Sequence, residues 1–193
     1  MDSPNVVIIA GPNGAGKSTA APRLLRDYLG ISEFVNADVI AQGMSGFDPA
    51  SVAIQAGRVM LVRLHELAAE RKSFAFETTL AARSYGSWIV RLHQCGYRSH
   101  LFFLWLPTPE LAIRRVASRV REGGHDIPEA TIRRRYDRGL INLFRIYMPL
   151  VNSWSLLDTS RMRRFRVIAA KPQSADIQVA NSERWHFLTE QYA

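Results

Sequence analysis

The chain has 193 residues, 47% hydrophobic and 22% charged, a make-up that fits one soluble globular domain, since single cores stop growing only at about 250–300 residues. The longest apolar run, Leu101 to Leu106, falls far short of the roughly 20 residues a membrane span needs, and Met1-Asp2-Ser3-Pro4-Asn5 has neither part of a targeting peptide, so a cytoplasmic protein without a membrane partner is expected. Lys and Arg total 25 against 17 Asp and Glu, a formal charge of +8, which points to anionic partners such as a nucleotide, a sugar nucleotide or a nucleic acid.

In chain order, Val6-Val7-Ile8-Ile9-Ala10 is a continuous apolar run, as in a parallel strand buried on both faces. It leads into Gly11-Pro12-Asn13-Gly14-Ala15-Gly16-Lys17-Ser18-Thr19, and a helix should follow to about Leu29, stopped by Gly30. A second strand is predicted at Glu33 to Asn36, with Asp38 just past its end. A long helix from about Ser51 to Arg71 should bury Val52, Ala56, Val59, Leu64, Leu67 and Ala68. Ser73 to Phe76 reads as the third strand and delivers Glu77-Thr78-Thr79. Tyr85, Trp88, Ile89, Leu92 and Cys95 form a helical stripe ended by Gly96, with Cys95 expected to be buried behind Leu92. As the lone cysteine, it excludes an internal disulfide.

Leu101 to Leu106 is the fourth predicted strand. Helices over Glu110 to Glu122 and Pro128 to Met148 should hinge at Gly123-Gly124, the second starting at Asp126-x-Pro128-Glu129 and stopping at Pro149. Its buried stripe is Ile132, Tyr136, Leu140, Leu143, Phe144 and Tyr147. Strands at Trp154 to Leu157 and Arg166 to Ala169 and a helix near Glu183 to Gln191 complete the chain. Strands alternating with helices imply an α/β fold: a kinase-like three-layer sandwich with a mostly parallel sheet of five or six strands. The whole chain, 1–193, reads as one domain with a helical lid at about 115–138.

Gly11-x4-Gly16-Lys17-Ser18 matches the Walker A pattern in its required setting of strand, loop and helix. Four specified positions would match by chance on the order of once per hundred such chains at average glycine usage, and the strand before them makes the match more specific. Gly14 and Gly16 remove Cβ atoms that would obstruct backbone N–H groups wrapping the β-phosphate, and the helix start adds its dipole. Gly11 to Thr19 thus form the expected ATP site. Lys17 reaches the β- and γ-oxygens, and the Ser18 hydroxyl ligates Mg²⁺.

A kinase also needs a group to orient and deprotonate the acceptor hydroxyl. Asp38, at the second strand end, is the expected base and faces the acceptor. Glu77 is expected to hold the Mg²⁺ shell or, with Thr79, the substrate hydroxyls. Eight arginines and four acids lie between Arg114 and Arg138. Guanidiniums there could neutralise charge on the transferring phosphoryl when a lid excludes water. Arg119 and Arg115, four apart on one face, come first; Arg121, Arg134 and Arg135 come behind, and His125 sits beside the hinge.

These segments resemble the zeta toxin family of P-loop kinases. The resemblance rests on Gly11 to Thr19, Val35-Asn36-Ala37-Asp38, Phe76-Glu77-Thr78-Thr79, and Gly123-Gly124-His125-Asp126-Ile127-Pro128 followed by Arg133-Arg134-Arg135-Tyr136. It implies an ATP-dependent kinase of UDP-N-acetylamino sugars, chiefly UDP-N-acetylglucosamine, blocked by an antitoxin partner. Carried over to this chain, Lys17 binds phosphate, Asp38 is the base, Glu77 and Thr79 hold the sugar nucleotide, and Asp158 lies near adenine. Plasmid-borne members carry an arginine where this chain has His125, so the lid charge comes from elsewhere. Other readings are a P-loop kinase for another metabolite, an antibiotic or a nucleic-acid hydroxyl, and a non-catalytic ATP-dependent binding module. No aromatic-basic platform for a single strand is evident, which argues against nucleic acid. The sequence leaves the oligomeric state open.

Overall fold

The computed structural model describes residues 3–28, 31–124, 126–161 and 164–193. A seven-stranded sheet has the order β2-β3-β1-β4-β5-β6-β7. Its strands are β1 (Asn5–Ala10), β2 (Glu33–Val35), β3 (Phe74–Thr78), β4 (Arg98–Trp105), β5 (Ser153–Asp158), β6 (Arg166–Lys171) and β7 (Gln178–Val179). The first five are parallel, while β6 and β7 pair antiparallel at one edge. Five or six strands are expected from sequence; the seventh has two exposed residues and no apolar pattern to announce it.

The helices are α1 (Lys17–Tyr28), α2 (Ala37–Met44), α3 (Ala53–Ala69), α4 (Ser84–Gln94), α5 (Pro109–Arg121), α6 (Glu129–Asn142), α7 (Met148–Leu150) and α8 (Ser182–Tyr192). Leu29 and Gly30, where the first helix is expected to stop, lie outside the described residues. Every residue from Val6 to Ala10 is at most 1% exposed. Helices therefore cover both faces of the sheet, the condition under which a parallel strand reads as a continuous apolar run.

Several expectations shift. α2 is absent from the sequence reading because its eight residues are too few for a clear period. α3 buries Ala56, Met60, Leu64 and Leu67, while Val59 is exposed because it falls off that stripe. Cys95 is exposed rather than buried, because it caps α4 and the chain turns there. The helix after the hinge does not run unbroken: α6 gives way at Leu143–Tyr147 to a π-turn before α7, with Pro149 inside α7 rather than ending it. The expected stripe from Ile132 to Tyr147 is nonetheless fully buried.

Two features of this fold place the site. The strand order reverses at β1, which lies between β3 and β4, and ligands bind beyond the carboxyl ends of parallel strands at such a point. Register then levels the strand exits: Ala10 pairs with Thr78 and Ile9 with Glu77, while Val35 pairs with Phe76. Asn36, one residue on, therefore comes level with Glu77. Packing fixes β3 from behind, where Phe76 meets Tyr85 and Trp88 of α4 at ring-centroid distances of 5.0 and 5.8 Å.

Candidate active site

The loop between β1 and α1 carries Gly14 and Gly16 at φ values of 77° and 83°, a region that costs other residues strain. Their roles differ. A Cβ on Gly14 would lie 2.8 Å from Ala112 O and 3.0 Å from Arg115 Cβ, whereas one on Gly16 would meet open space. Gly14 thus lets α5 approach the loop, whereas at Gly16 it is the positive φ, not a neighbour, that calls for glycine.

Lys17 opens α1 and is 6% exposed. Its ammonium donates to Pro12 O at 3.1 Å and pairs with Glu77 Oε1 at 3.5 Å. Burial holds the Lys17 pKa below its ordinary value of 10.5, against the opposing pull of Glu77 and Asp38, and Arg119 adds to the depression. The Ser18 hydroxyl donates to Glu77 Oε2 at 2.7 Å. Lys17, Ser18 and Glu77 therefore share one carboxylate at the mouth of the loop.

Asn36 completes this cluster, and the sequence reading assigns it no role. It is 5% exposed, and its amide donates to Glu77 Oε2 at 2.8 Å and to Ser18 Oγ at 3.2 Å. Its carbonyl receives the Asp38 N–H at 2.8 Å, capping α2. The available signal was an Asn preceding a helix whose first turn holds Asp38, a capping pattern. Asp38 is half-buried in the first turn of α2, and its charge acts on Lys17.

Thr79 follows β3 and is half-buried. Its carbonyl lies under Gly139 of α6, where a Cβ would be 2.5 Å from the oxygen. Leu80 comes next, buried with φ 57°, and its carbonyl accepts from Asn142 Nδ2 at 2.7 Å. α6 thus holds the exit of β3 in a conformation unfavourable for leucine.

The eight arginines separate by position. Arg115 donates to Gly14 O at 3.4 Å, Thr159 O at 3.0 Å and Ser160 O at 2.9 Å, tying the phosphate loop to the exit of β5. Arg119 is half-buried and close enough for its charge to act on Lys17. Arg135 is half-buried and feels Asp38. Arg133 is held by Glu110 and Glu129 at 2.6 and 2.7 Å, and Arg114, Arg121, Arg134 and Arg138 are exposed. His125 lies outside the described residues.

Asp158, expected near adenine, is 3% exposed. Its carboxylate is engaged on both sides, accepting the Ser160 N–H at 2.7 Å and pairing with Arg184 of α8. Arg184 also lies over the Trp105 ring at 5.7 Å. The part of this strand exit that reaches the phosphate loop is the Thr159–Ser160 backbone, through Arg115.

The pattern of the AAA domain family, AAA_33, matches residues 6–138, well over half of the chain and the whole run from β1 into α6. The chain belongs to that family. This AAA domain is 28% identical over 132 residues to an uncharacterised protein of Haemophilus influenzae, covering 67% of this chain and 91% of that one. In fold, the domain is similar to AvrRxo1-ORF1 in its complex with ORF2, solved with sulphate ions, at a TM-score of 0.77 and 17% identity. That match covers 97% of this chain but only 64% of the other, so the AAA domain spans less than two thirds of the AvrRxo1 chain. The PezAT chromosomal toxin–antitoxin system of Streptococcus pneumoniae matches at a TM-score of 0.65 and 15% identity, covering 99% of this chain and 86% of that one. At such identities the likeness is one of fold: an α/β P-loop, kinase-like domain. Among the described residues, no helix is long and apolar enough to cross a membrane.

Proposed function

We propose that this domain is an ATP-dependent phosphotransferase that moves the γ-phosphoryl group onto a hydroxyl of a UDP-N-acetylamino sugar. The observation that carries the kinase reading is the Lys17–Ser18–Glu77 cluster at the phosphate loop, built on the buried Lys17, with the Asp38 carboxylate of α2 within its field. One charged pole for phosphate and one carboxylate for a hydroxyl are what phosphoryl transfer requires. The sugar-nucleotide acceptor rests on the four-segment resemblance to zeta toxins, and the fold shared with PezAT agrees with it.

The cluster suits Mg²⁺. Ser18 Oγ and Glu77 Oε2 are 2.7 Å apart, and this ion takes one or two protein oxygens plus phosphates and water. Asn13 Oδ1, buried in the same loop without a hydrogen-bond partner among the described residues, would accept from a metal-bound water. When bound, Mg²⁺ would neutralise charge on the β- and γ-oxygens.

The chain's own residues do the rest. Lys17 turns from Glu77 to the phosphates, and the α1 N-terminus presents its free N–H groups. Asp38 accepts the proton of the acceptor hydroxyl as its oxygen bonds to the γ-phosphorus and the bridging oxygen departs with ADP. Asn36 keeps Asp38 and Glu77 in register. Arg119 supplies positive charge beside Lys17 as charge spreads over the equatorial oxygens, and Arg115 acts through the loop it braces. Residues 115–138 serve as the lid, and Thr79, with Glu77, faces the sugar nucleotide. An antitoxin that covers the nucleotide crevice is proposed as the protein partner, on the likeness to PezAT.

The test is incubation with ATP, Mg²⁺ and UDP-N-acetylglucosamine, followed by mass spectrometry for a phosphate on the sugar nucleotide. A product lost in Asp38→Asn supports both the reaction and the base. No product, with ATP binding intact, would refute the sugar-nucleotide acceptor and leave the phosphate site standing.

A further inference from the structure

Arg135 stands apart from the other arginines of its helix. Residues 135, 139 and 142 of α6 are spaced by four and three, so they share a face. That face lies on the exit of β3: Gly139 presses on Thr79 O, and Asn142 donates to Leu80 O at 2.7 Å. Arg135 sits one turn toward the helix N-terminus, the direction in which helical side chains lean. Arg135 is thus one turn beyond Gly139 on the face that meets the β3 exit, and the Asp38 charge acts on it.

The surroundings of Arg135 describe an anion site. The residue is half-buried, and its guanidinium makes no hydrogen bond to protein among the described residues. Burial lowers its pKa, and Arg134 is the other charge it feels. None of its nitrogens is both buried and unpartnered among the described residues, so the five N–H donors stay open to the oxygens of a ligand. Arg133 is already held by Glu110 and Glu129, and Arg134 and Arg138 project into solvent.

The position also puts Arg135 on a different helix from the arginines that pack against the phosphate loop. The charges acting on Lys17 are Glu77, Asp38 and Arg119; those acting on Arg135 are Asp38 and Arg134. Arg119 lies on α5, which packs on the phosphate loop at Gly14, and Arg135 on α6, which packs on the exit of β3 at Thr79 and Leu80.

We propose that Arg135 is the acceptor's anion anchor: it binds a phosphate or carboxylate carried by the same molecule whose hydroxyl meets Asp38. The acceptor is therefore an anionic molecule, whichever one it proves to be. The direction of transfer rests on the phosphotransferase reading, but the anion site does not.

The test fills the phosphate loop of the full chain with a non-hydrolysable ATP analogue and Mg²⁺, then titrates inorganic pyrophosphate and, separately, UDP-N-acetylglucosamine by calorimetry. The wild type should bind pyrophosphate with the loop filled. Arg135→Gln should weaken that binding about ten- to a hundredfold, the scale of a lost charge-assisted fork, with affinity for the ATP analogue unchanged. Arg135→Lys should fall between, and it carries the comparison if the glutamine variant melts early. Pyrophosphate that fails to bind the wild type, or binds Arg135→Gln equally well, overturns the anchor. Weakened ATP-analogue binding in Arg135→Gln overturns it too, by placing the guanidinium on the nucleotide. If pyrophosphate binds through Arg135 but UDP-N-acetylglucosamine does not bind, the anchor stands and the sugar-nucleotide acceptor falls. If the sugar nucleotide is phosphorylated equally well by Arg135→Gln, the transfer reaction stands without the anchor.

Discussion

The Asn36 side-chain amide donates to Glu77 Oε2 at 2.8 Å, joining the exits of two parallel strands. Because the Asn36 carbonyl also caps the Asp38 N–H, one side chain sets the spacing between Glu77 and Asp38, the proposed metal-side acid and base. Asn36→Ala should lower phosphoryl transfer about tenfold to a hundredfold through misplacement of Asp38, while ATP affinity changes little. Steady-state kinetics beside nucleotide titration measure this, and equal losses in both would show that Asn36 serves only the phosphate loop.

Asp38→Asn keeps the size of the side chain and its place in α2 but removes the carboxylate proposed to accept the proton. Transfer should fall by roughly 10² or more, the usual scale of general-base loss, with ATP binding spared. An unchanged single-turnover rate would move the base elsewhere.

Lys17 gives a proton-linked signal. Burial favours its neutral form and holds its pKa below 10.5, whereas bound phosphates favour the ammonium and raise the pKa. At a pH between the two values ATP binding should take up a proton, and well below or above both it should not. Calorimetry in buffers of different ionisation enthalpy reads the uptake, which should vanish in Lys17→Met. Lys17→Ala should abolish transfer, and undiminished turnover would refute its role.

Gly139→Ala would set a Cβ 2.5 Å from Thr79 O, a clash with backbone that cannot swing aside. We expect a loss of about 1–3 kcal/mol in stability and a raised acceptor KM as the Thr79–Leu80 turn shifts. Thermal unfolding and kinetics together decide. A variant as stable as the wild type would mean that α6 moves freely over β3.

Arg184→Ala would leave Asp158, 3% exposed, without its guanidinium. Breaking a buried ion pair costs about 3–5 kcal/mol, and partial exposure of Arg184 puts the expected loss at the lower end. At about 2–4 °C per kcal/mol for a chain of this size, Tm should drop by roughly 6–12 °C. Asp158→Asn, which keeps an acceptor for Ser160 N–H, should lose less.

The sequence by itself determined the phosphate site and the α/β class. A Walker A pattern is local chemistry: one strand, one loop and one helix start, all contiguous from Val6 to Thr19. Glu77 was legible from the apolar run Phe74-Ala75-Phe76 before it and Asp38 from its place shortly after Phe34-Val35, although the structure puts Asp38 in the first turn of α2. The tertiary structure alone decided which side chains join them. Asn36 reaches Glu77 because Val35 pairs with Phe76, a register set across strands some forty residues apart in the chain. The arginines from 114 to 138 are alike as letters. What divides them is which face of α5 or α6 each occupies, and that depends on long-range packing such as Gly139 on Thr79 O and Arg115 on Thr159 and Ser160. Periodicity can place a residue on a helix face, but only the packed helix shows what that face meets.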